Sequence, residues 1–162
     1  MPELLTVRVA TQLDMAAVDA LLARSYPRLL RRDYPPSMMV MALPLISRAQ
    51  PLLLSSRTYY VAETESGAII GAGGWTRRKS GSFADVRHVV TDDRAVRRGI
   101  GRTILNRVFE QAKAAGVTLL DCKSTRTAVP FYQALGFVAL GPIEVPLGPG
   151  IAFPAMHMQR RL

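Results

Sequence analysis

The pattern of apolar and polar residues in the first third of the chain predicts one strand followed by two helices. Apolar and polar residues alternate over residues 6–10, as expected for a strand with one buried face. Over residues 12–26 the apolar positions recur every three or four residues, which predicts a helix that ends before Pro27. A second apolar helical segment covers residues 37–48 and is interrupted at Pro44.

The rest of the chain predicts a run of strands and then strands alternating with helices. Short turns favour antiparallel hairpins among three strands, at residues 58–63, 68–76 and 83–90. A helical period covers residues 99–115, and Gly116 follows where a C-terminal cap is expected. A strand, a helix and two closing strands are expected at residues 117–122, 127–135, 137–140 and 151–159. This order predicts an α+β fold, with a single mixed, mostly antiparallel sheet flanked by helices, in one domain spanning residues 1–162.

Composition narrows the class of protein. Apolar residues make up 49% of the chain and charged residues 20%, which is typical of a folded globular domain. Cys122 is the single cysteine and has no disulfide partner within the chain, so a cytoplasmic location is expected. The longest apolar run, residues 38–46, is much shorter than the roughly 20 residues of a membrane-spanning helix, so no membrane partner is expected.

The net charge of +9 favours anionic partners such as nucleic acid, acidic substrates or a phosphate-rich cofactor. The arginines are scattered in short clusters, and the sequence has neither a helix-turn-helix nor a platform of alternating aromatic and basic residues. A nucleic-acid partner is therefore not expected. A cysteine and two distant histidines, His88 and His157, have no metal-ligand spacing, so no metal is expected.

A glycine-containing turn before the helix at residues 99–115 is the first candidate binding site. Gly99 and Gly101 remove side chains where the backbone enters that helix, so a phosphate can approach the unpaired amides of the first turn. Neighbouring arginines add positive charge, which favours a diphosphate ligand. A Walker loop needs four residues between its glycines, and a dinucleotide fingerprint needs a third glycine where Ile104 stands, so neither motif is present.

Two motifs resemble those of the GCN5-related N-acetyltransferases. Val96-Arg97-Arg98-Gly99-Ile100-Gly101 resembles the family's phosphate-binding motif Gln/Arg-x-x-Gly-x-Gly/Ala, with Val96 departing at the first position. Residues 128–137, Ala-Val-Pro-Phe-Tyr-Gln-Ala-Leu-Gly-Phe, resemble the family's Ala-x-x-Phe-Tyr-x-x-x-Gly-Phe, and Thr125 replaces the asparagine often found three residues earlier. Together with the preceding strands, the resemblance covers residues 58–140.

The resemblance implies an acyl-CoA N-acyltransferase fold that uses acetyl-CoA as co-substrate and no metal. Acetyl-CoA would lie between strands that splay apart, with the pantetheine and acetyl groups against backbone amides and the pyrophosphate at the glycine turn. The cofactor-binding residues implied in this way are Val89, Val90, Arg97, Arg98, Gly99, Ile100, Gly101, Arg102, Thr103 and Phe131.

The same resemblance implies an N-acetyltransferase that moves the acetyl group to a primary amine by direct attack. Tyr132 matches the family's general acid and would protonate the leaving thiolate, because a phenol with a pKa near 10 stays protonated at neutral pH. Asp85 precedes Gly99 by fourteen residues, where histone acetyltransferase members carry a catalytic glutamate. Asp85 is therefore the first candidate for the general base, and Glu63, His88 and water are alternatives. Regular alternation puts His88 on the face opposite Asp85 unless a bulge intervenes.

The acceptor site in this family is built by the N-terminal helices and the third and fourth strands. The candidate acceptor-binding residues are therefore Tyr26, Tyr34, Trp75 and Arg77, and a plain core role is the alternative for Trp75. The acceptor is expected to be a small-molecule or peptide amine, and a homodimer is compatible with the sequence without being required by it. The alternative function is an acetyl-CoA-binding sensor or interaction module without catalysis.

Overall fold

Seven strands form one mixed sheet in a computed structural model that describes residues 4–79, 81–96 and 98–162. The strands are β1 (Leu5–Val9), β2 (Tyr59–Thr64), β3 (Ile69–Arg77), β4 (Phe83–Thr91), β5 (Leu119–Ser124), β6 (Val138–Gly148) and β7 (Ile151–Arg161). Their order across the sheet is β1-β2-β3-β4-β5-β7-β6. Every neighbouring pair is antiparallel except β4 and β5, which are parallel. The predicted fold class is confirmed.

Among the described residues five helices cover the sheet, and two of them run through a proline where the prediction had a break. The helices are α1 (Met15–Leu30), α2 (Pro36–Ile46), α3 (Pro51–Leu54), α4 (Ile100–Ala114) and α5 (Val129–Ala134). The expected end before Pro27 was wrong, because α1 continues through this proline to Leu30, whose side chain is buried in the core. Pro44 does not interrupt α2 either, since the Ser47 amide donates to the Leu43 carbonyl at 3.0 Å and completes the turn beyond the proline. Packing of these apolar helices offsets the cost of a proline, about 3 kcal/mol in a helix interior.

The strand β6 is longer than predicted. The prediction ended this strand at residue 140, but the strand continues through Gly141, Pro142 and Pro146 to Gly148 beside β7. Proline removes only one backbone donor, and β6 lies at the edge of the sheet where one side of the strand has no ladder to complete.

The two faces of the sheet carry separate cores. On one face α4 and α5 pack on the central strands, around a cluster that includes Ile104, Leu120 and Met158. On the other face α1 and α3 cover β2 to β4, while α2 packs near β7 around Tyr34 and Phe153. We refer to these as the α4 face and the α1 face. Each core comes from alternate residues of the strands, as a half-buried sheet requires.

Candidate active site

A cleft opens in the sheet where β4 and β5 separate. The two strands pair only through Phe83, Ala84 and Asp85 of β4 and the facing residues of β5, and they diverge beyond this point. The resulting cleft has a volume of about 1260 Å³. Its walls come from the end of α1, the end of α2, the first turn of α4, α5, and the hairpin of β6 and β7. The parallel pair thus makes a gap that opens to both faces of the sheet.

One end of the cleft is formed by the start of α4. Gly99 is the N-cap in a left-handed conformation (φ 76°), which glycine adopts without strain, and none of the described side chains caps the helix. The first-turn amides of Ile100, Gly101 and Arg102 therefore keep their capacity to bind an anion. A Cβ at Gly101 would lie 2.8 Å from the Phe131 ring, so only glycine allows α5 to pack this closely on the turn.

Arginines surround this end of the cleft. Arg102 lines it, and so do three residues near the end of α1 that the sequence analysis missed: Arg28, Arg31 and Arg32. Their signal in the sequence was the Arg31-Arg32 cluster, which enters the cleft because α1 continues past Pro27.

The other residues predicted at the phosphate end occupy different positions. Ile100 and Phe131 line the cleft, whereas Arg98 is exposed and is not among the lining residues. Thr103 donates its hydroxyl to the Gly99 carbonyl at 2.8 Å and so closes the first turn of α4. Arg97 lies outside the described residues.

Asp92 connects the phosphate turn to α1. Its side chain is 3% exposed and accepts from Arg24 at 2.8 Å and from Arg94 at 3.0 Å, and the Arg94 amide donates to it at 2.9 Å. The pKa of Asp92 is held well below its usual range, against the effect of burial. The main cause is the Arg94 side chain, and the Arg94 amide and Arg24 also contribute. Arg28 makes a second, more exposed ion pair with Asp93 at 3.2 Å.

A bulge in β4 shapes the middle of the cleft. The pairing with β3 shifts between Ala72 and Gly74, and His88 adopts a left-handed conformation with φ 50°. Two buried hydroxyls hold this backbone: Tyr59 donates to the His88 carbonyl at 2.8 Å, and Tyr26 donates to the Val89 carbonyl at 3.3 Å. Tyr26, Val89 and Val90 all line the cleft. Tyr26, predicted as an acceptor contact, therefore also orients the bulged strand.

The bulge brings the His88 ring to the α1 face, among the cleft residues. Its Nε2 lies 2.7 Å from the Ile46 carbonyl oxygen. Since a carbonyl only accepts, Nε2 carries the hydrogen and Nδ1 keeps its lone pair. Burial lowers the pKa of His88 below its usual value, the bond to Ile46 acts the other way, and the charge of Arg87 adds to the lowering. The ring is therefore neutral at physiological pH.

Tyr132 lines the cleft from the α4 face. Its ring stands edge-on to Phe131 and Phe137, with centroid separations of 5.1 and 5.2 Å, and only 6% of the residue is exposed. The buried Cys122 thiol lines the same cleft. Burial raises the pKa of Tyr132 well above its usual value. The phenol thus keeps its proton at any pH at which the enzyme would work.

Asp85 lies at the point where the strands separate, and it does not line the cleft. Arg78 donates to its Oδ1 at 2.7 Å and also to Asp121 at 2.8 Å, so one guanidinium joins the two last paired residues. Asp121 accepts further bonds from His157 at 2.6 Å and Gln159 at 2.9 Å. A carboxylate held in this way supports the strand junction, which differs from the base role expected for Asp85.

Glu63, an alternative base, lies on β2 and accepts from Arg8 at 2.8 Å. It is not among the residues that line the cleft. Two strands, β3 and β4, separate it from the gap between β4 and β5.

Three predicted acceptor contacts lie outside the cleft. Trp75 is buried in the core under α4 and donates its Nε1 to the Tyr60 hydroxyl at 3.2 Å, because its position in β3 points to the α4 face. Arg77 donates to the Ala115 carbonyl at the end of α4. Tyr34 stacks on Phe153 behind the cleft wall, where its hydroxyl donates to the Pro154 carbonyl at 2.6 Å.

Within the described ranges, no three or more His, Cys, Asp and Glu side chains are grouped so that they could hold a metal ion. None of the helices found in those same ranges is long and apolar enough to cross a bilayer.

Two solved acetyltransferases share this fold. A GCN5-related N-acetyltransferase from Rhodopseudomonas palustris superposes with a TM-score of 0.82 at 20% identity, covering 100% of this chain and 99% of that one. The PaiA N-acetyltransferase from Thermoplasma acidophilum, solved with coenzyme A, superposes with a TM-score of 0.76 at 15% identity, covering 98% and 99%.

A family model and a curated relative give the same result at the level of sequence. The model of the acetyltransferase (GNAT) domain matches residues 46–160, and the chain belongs to this family. An IAA acetyltransferase from Azospirillum brasilense is 28% identical over 93 residues, which cover 56% of this chain and 60% of that protein. The match thus spans less than two thirds of that relative's length.

Proposed function

We propose that the protein is an N-acetyltransferase that moves the acetyl group of acetyl-CoA to a primary amine. One observation carries the proposal. A single cleft joins the uncapped start of α4 to a buried tyrosine hydroxyl and a neutral histidine, and family membership supplies the reaction class.

The residues present fit acetyl-CoA as the donor, which supplies an acetyl thioester when bound. The backbone amides of Ile100, Gly101 and Arg102 would donate hydrogen bonds to a diphosphate, without competition from a capping side chain. Arg28, Arg31 and Arg32 line the same end and would neutralise further phosphate charge. The gap between β4 and β5 leaves backbone of Val89 and Val90 at the cleft wall, where an extended chain could pass through the sheet.

Tyr132 would act as general acid. Its proton would go to the departing sulfur of coenzyme A, because the Tyr132 ring lines the cleft that would hold the thioester. The raised pKa keeps the proton on the phenol until a thiolate forms nearby.

His88 would act as general base in place of Asp85. Its Nδ1 lone pair is available because Nε2–H donates to the Ile46 carbonyl, and the ring lies among the residues that line the cleft. An alkylammonium with a pKa near 10.4 must lose a proton before it attacks, and a neutral imidazole accepts that proton directly or through water.

The test of the proposed function is Tyr132→Phe, assayed by free-thiol release from acetyl-CoA with a panel of amines. We expect a fall in kcat of about 100-fold or more, since a general acid contributes on this scale, while acetyl-CoA binding is kept. Tyr60→Phe is the matched control, because it removes a buried hydroxyl that bonds to Trp75 outside the cleft. Equal turnover in the wild type and Tyr132→Phe would show that Tyr132 is not the general acid. If the protein binds acetyl-CoA but no amine in the panel leads to thiol release, the result would favour an acetyl-CoA sensor without catalysis.

A further inference from the structure

The cleft has a second half, on the α1 face, that the donor-binding residues do not occupy. Its wall is apolar and comes from the end of α2 and from the β6–β7 hairpin: Ile46, Val145, Leu147, Phe153 and Ala155. Four of these side chains continue into the core around Tyr34, so the wall is fixed by packing. We call this part of the cleft the acceptor half.

Few polar groups reach the acceptor half. Apart from His88 and Tyr26, whose hydroxyl donates to the Val89 carbonyl, they are Gln50 and Lys123. The Gln50 side-chain oxygen accepts from Arg87 at 3.2 Å, which leaves its amide nitrogen as a donor. Lys123 projects to the α1 face, because its neighbours Cys122 and Leu120 point into the core under α4. It is exposed, and among the described residues it has no ion-pair partner.

Carboxylates are scarce around the whole cleft. Among the described lining residues the one acidic side chain is Asp33, which accepts from Thr127 at 2.6 Å near the start of α5. The nearest acids on the α1 face of the strands, Asp85 and Asp121, are held by Arg78, His157 and Gln159. A second ammonium group on the acceptor would thus lie near Lys123 with no carboxylate to pair with, which is strongly unfavourable for a partly buried charge.

We propose that the acceptor is a primary amine with an apolar body and a carboxylate, such as a free apolar amino acid, and not a polyamine. This inference rests on the proposed function. The apolar wall would bury the body of the acceptor, and Lys123 would pair with its carboxylate. The His88 ring faces the same half of the cleft, where the amine has to lose its proton.

The experiment compares matched amines by thiol release. L-Phenylalanine is paired with phenethylamine and L-leucine with isopentylamine, so that each pair differs only in the carboxylate, and spermidine represents a polycation. We expect kcat/KM to be about 10-fold or more higher for the acid of each pair, the size of a hydrogen bond to a charged group, and lowest for spermidine. Preference for spermidine would overturn the inference.

A variant tests the role of Lys123. Lys123→Gln should lower the ratio of kcat/KM for phenylalanine to that for phenethylamine by about 10-fold. Lys113→Gln removes one exposed lysine from α4, outside the cleft, and should leave that ratio unchanged. An unchanged ratio in Lys123→Gln would contradict the assignment.

Failure of the proposed function can be separated from failure of this inference. If no amine leads to thiol release from acetyl-CoA, the proposed function fails. Calorimetry then measures the binding of each amine to the protein saturated with coenzyme A and decides the acceptor class. Binding of phenylalanine in preference to spermidine would support the inference. Preference for spermidine, or no binding of either, would overturn it.

Discussion

At the scale of single residues, His88 shows how one backbone irregularity decides which side chain can serve as a base. On a regular strand it would point away from the face that Asp85 occupies. The left-handed residue at the bulge shifts the alternation, and the ring reaches the α1 face beside Tyr26, with ring centroids 6.0 Å apart. The sequence alone does not locate this bulge, because only a few residues follow it in the strand, too few to show that the alternation has shifted.

The lowered pKa of His88 predicts the acid limb of the pH profile. A lowered pKa means that the neutral, active form persists to lower pH, so activity is full above the folded pKa and falls as pH decreases through it. We expect the acid limb of kcat to have its midpoint below about 6.5, the usual histidine value. His88→Gln should lower kcat by about 100-fold and remove this limb.

His157 provides the control for this experiment. It is the second of the two histidines, and its Nε2 bonds to Asp121 outside the lining of the cleft. His157→Gln should keep the acid limb where it is. A limb that persists in His88→Gln, or disappears in His157→Gln, would exclude His88 as the base.

The residues that could be predicted from the sequence are those whose role depends on local backbone. Gly99 and Gly101 are needed at the start of a helix, and a helix start is visible in the apolar period that follows. The roles predicted for Trp75, Arg77 and Asp85 depended on which way each side chain points from a central strand, and tertiary packing decides that direction. Trp75 points to the core under α4, and Asp85 is bound by Arg78.

At the scale of elements, the connection between α1 and the phosphate turn is the feature that the sequence showed least. The pattern indicated a helix ending before Pro27, whereas the longer helix brings Arg28, Arg31 and Arg32 to the cleft. Asp92 then joins the turn to α1 through Arg24. Elements with a clear period, such as α4, were predicted closely, because their apolar stripe alone determines the buried face.

Asp92→Asn is predicted to loosen this connection. Asparagine lacks the charge of the buried carboxylate and weakens its bonds to Arg24, to the Arg94 side chain and to the Arg94 amide, at a cost of about 3 kcal/mol in the free energy of unfolding. For a domain of this size we expect Tm to fall by about 6–12 °C. The KM for acetyl-CoA should rise as well, because the turn that precedes α4 loses its support.

Asp93→Asn is the matched control in the next residue. Its partner Arg28 is 62% exposed, so we expect a loss of less than about 1 kcal/mol and little change in KM. Since the lowered pKa of Asp92 means that its carboxylate stabilises the fold above its unfolded pKa near 3.9, the difference between the two variants should persist at neutral pH and shrink in strong acid. Equal loss of stability in both variants at neutral pH would contradict the role of Asp92.

At the scale of the whole molecule, the net charge of +9 and the arginines at one end of the cleft act on the same ligand. Composition suggested an anionic partner without saying where it binds. The fold answers that question, because α1 ends beside the start of α4 and both ends face the gap in the sheet. Charge that is spread along the sequence is in this way concentrated at the phosphate end.

This concentration predicts how acetyl-CoA binding depends on salt. Screening shortens the range of electrostatic attraction to about 10 Å at 0.1 M salt and about 3 Å at 1 M, so KM for acetyl-CoA should rise several-fold from low to high salt while kcat changes little. The double variant Arg31→Gln with Arg32→Gln should raise KM at low salt and flatten this dependence. Arg57→Gln with Lys113→Gln removes the same two charges from exposed positions outside the cleft lining and should keep the wild-type slope. If both double variants flatten the dependence equally, the total charge of the protein attracts acetyl-CoA, and the arginines at the end of α1 have no special part in binding it.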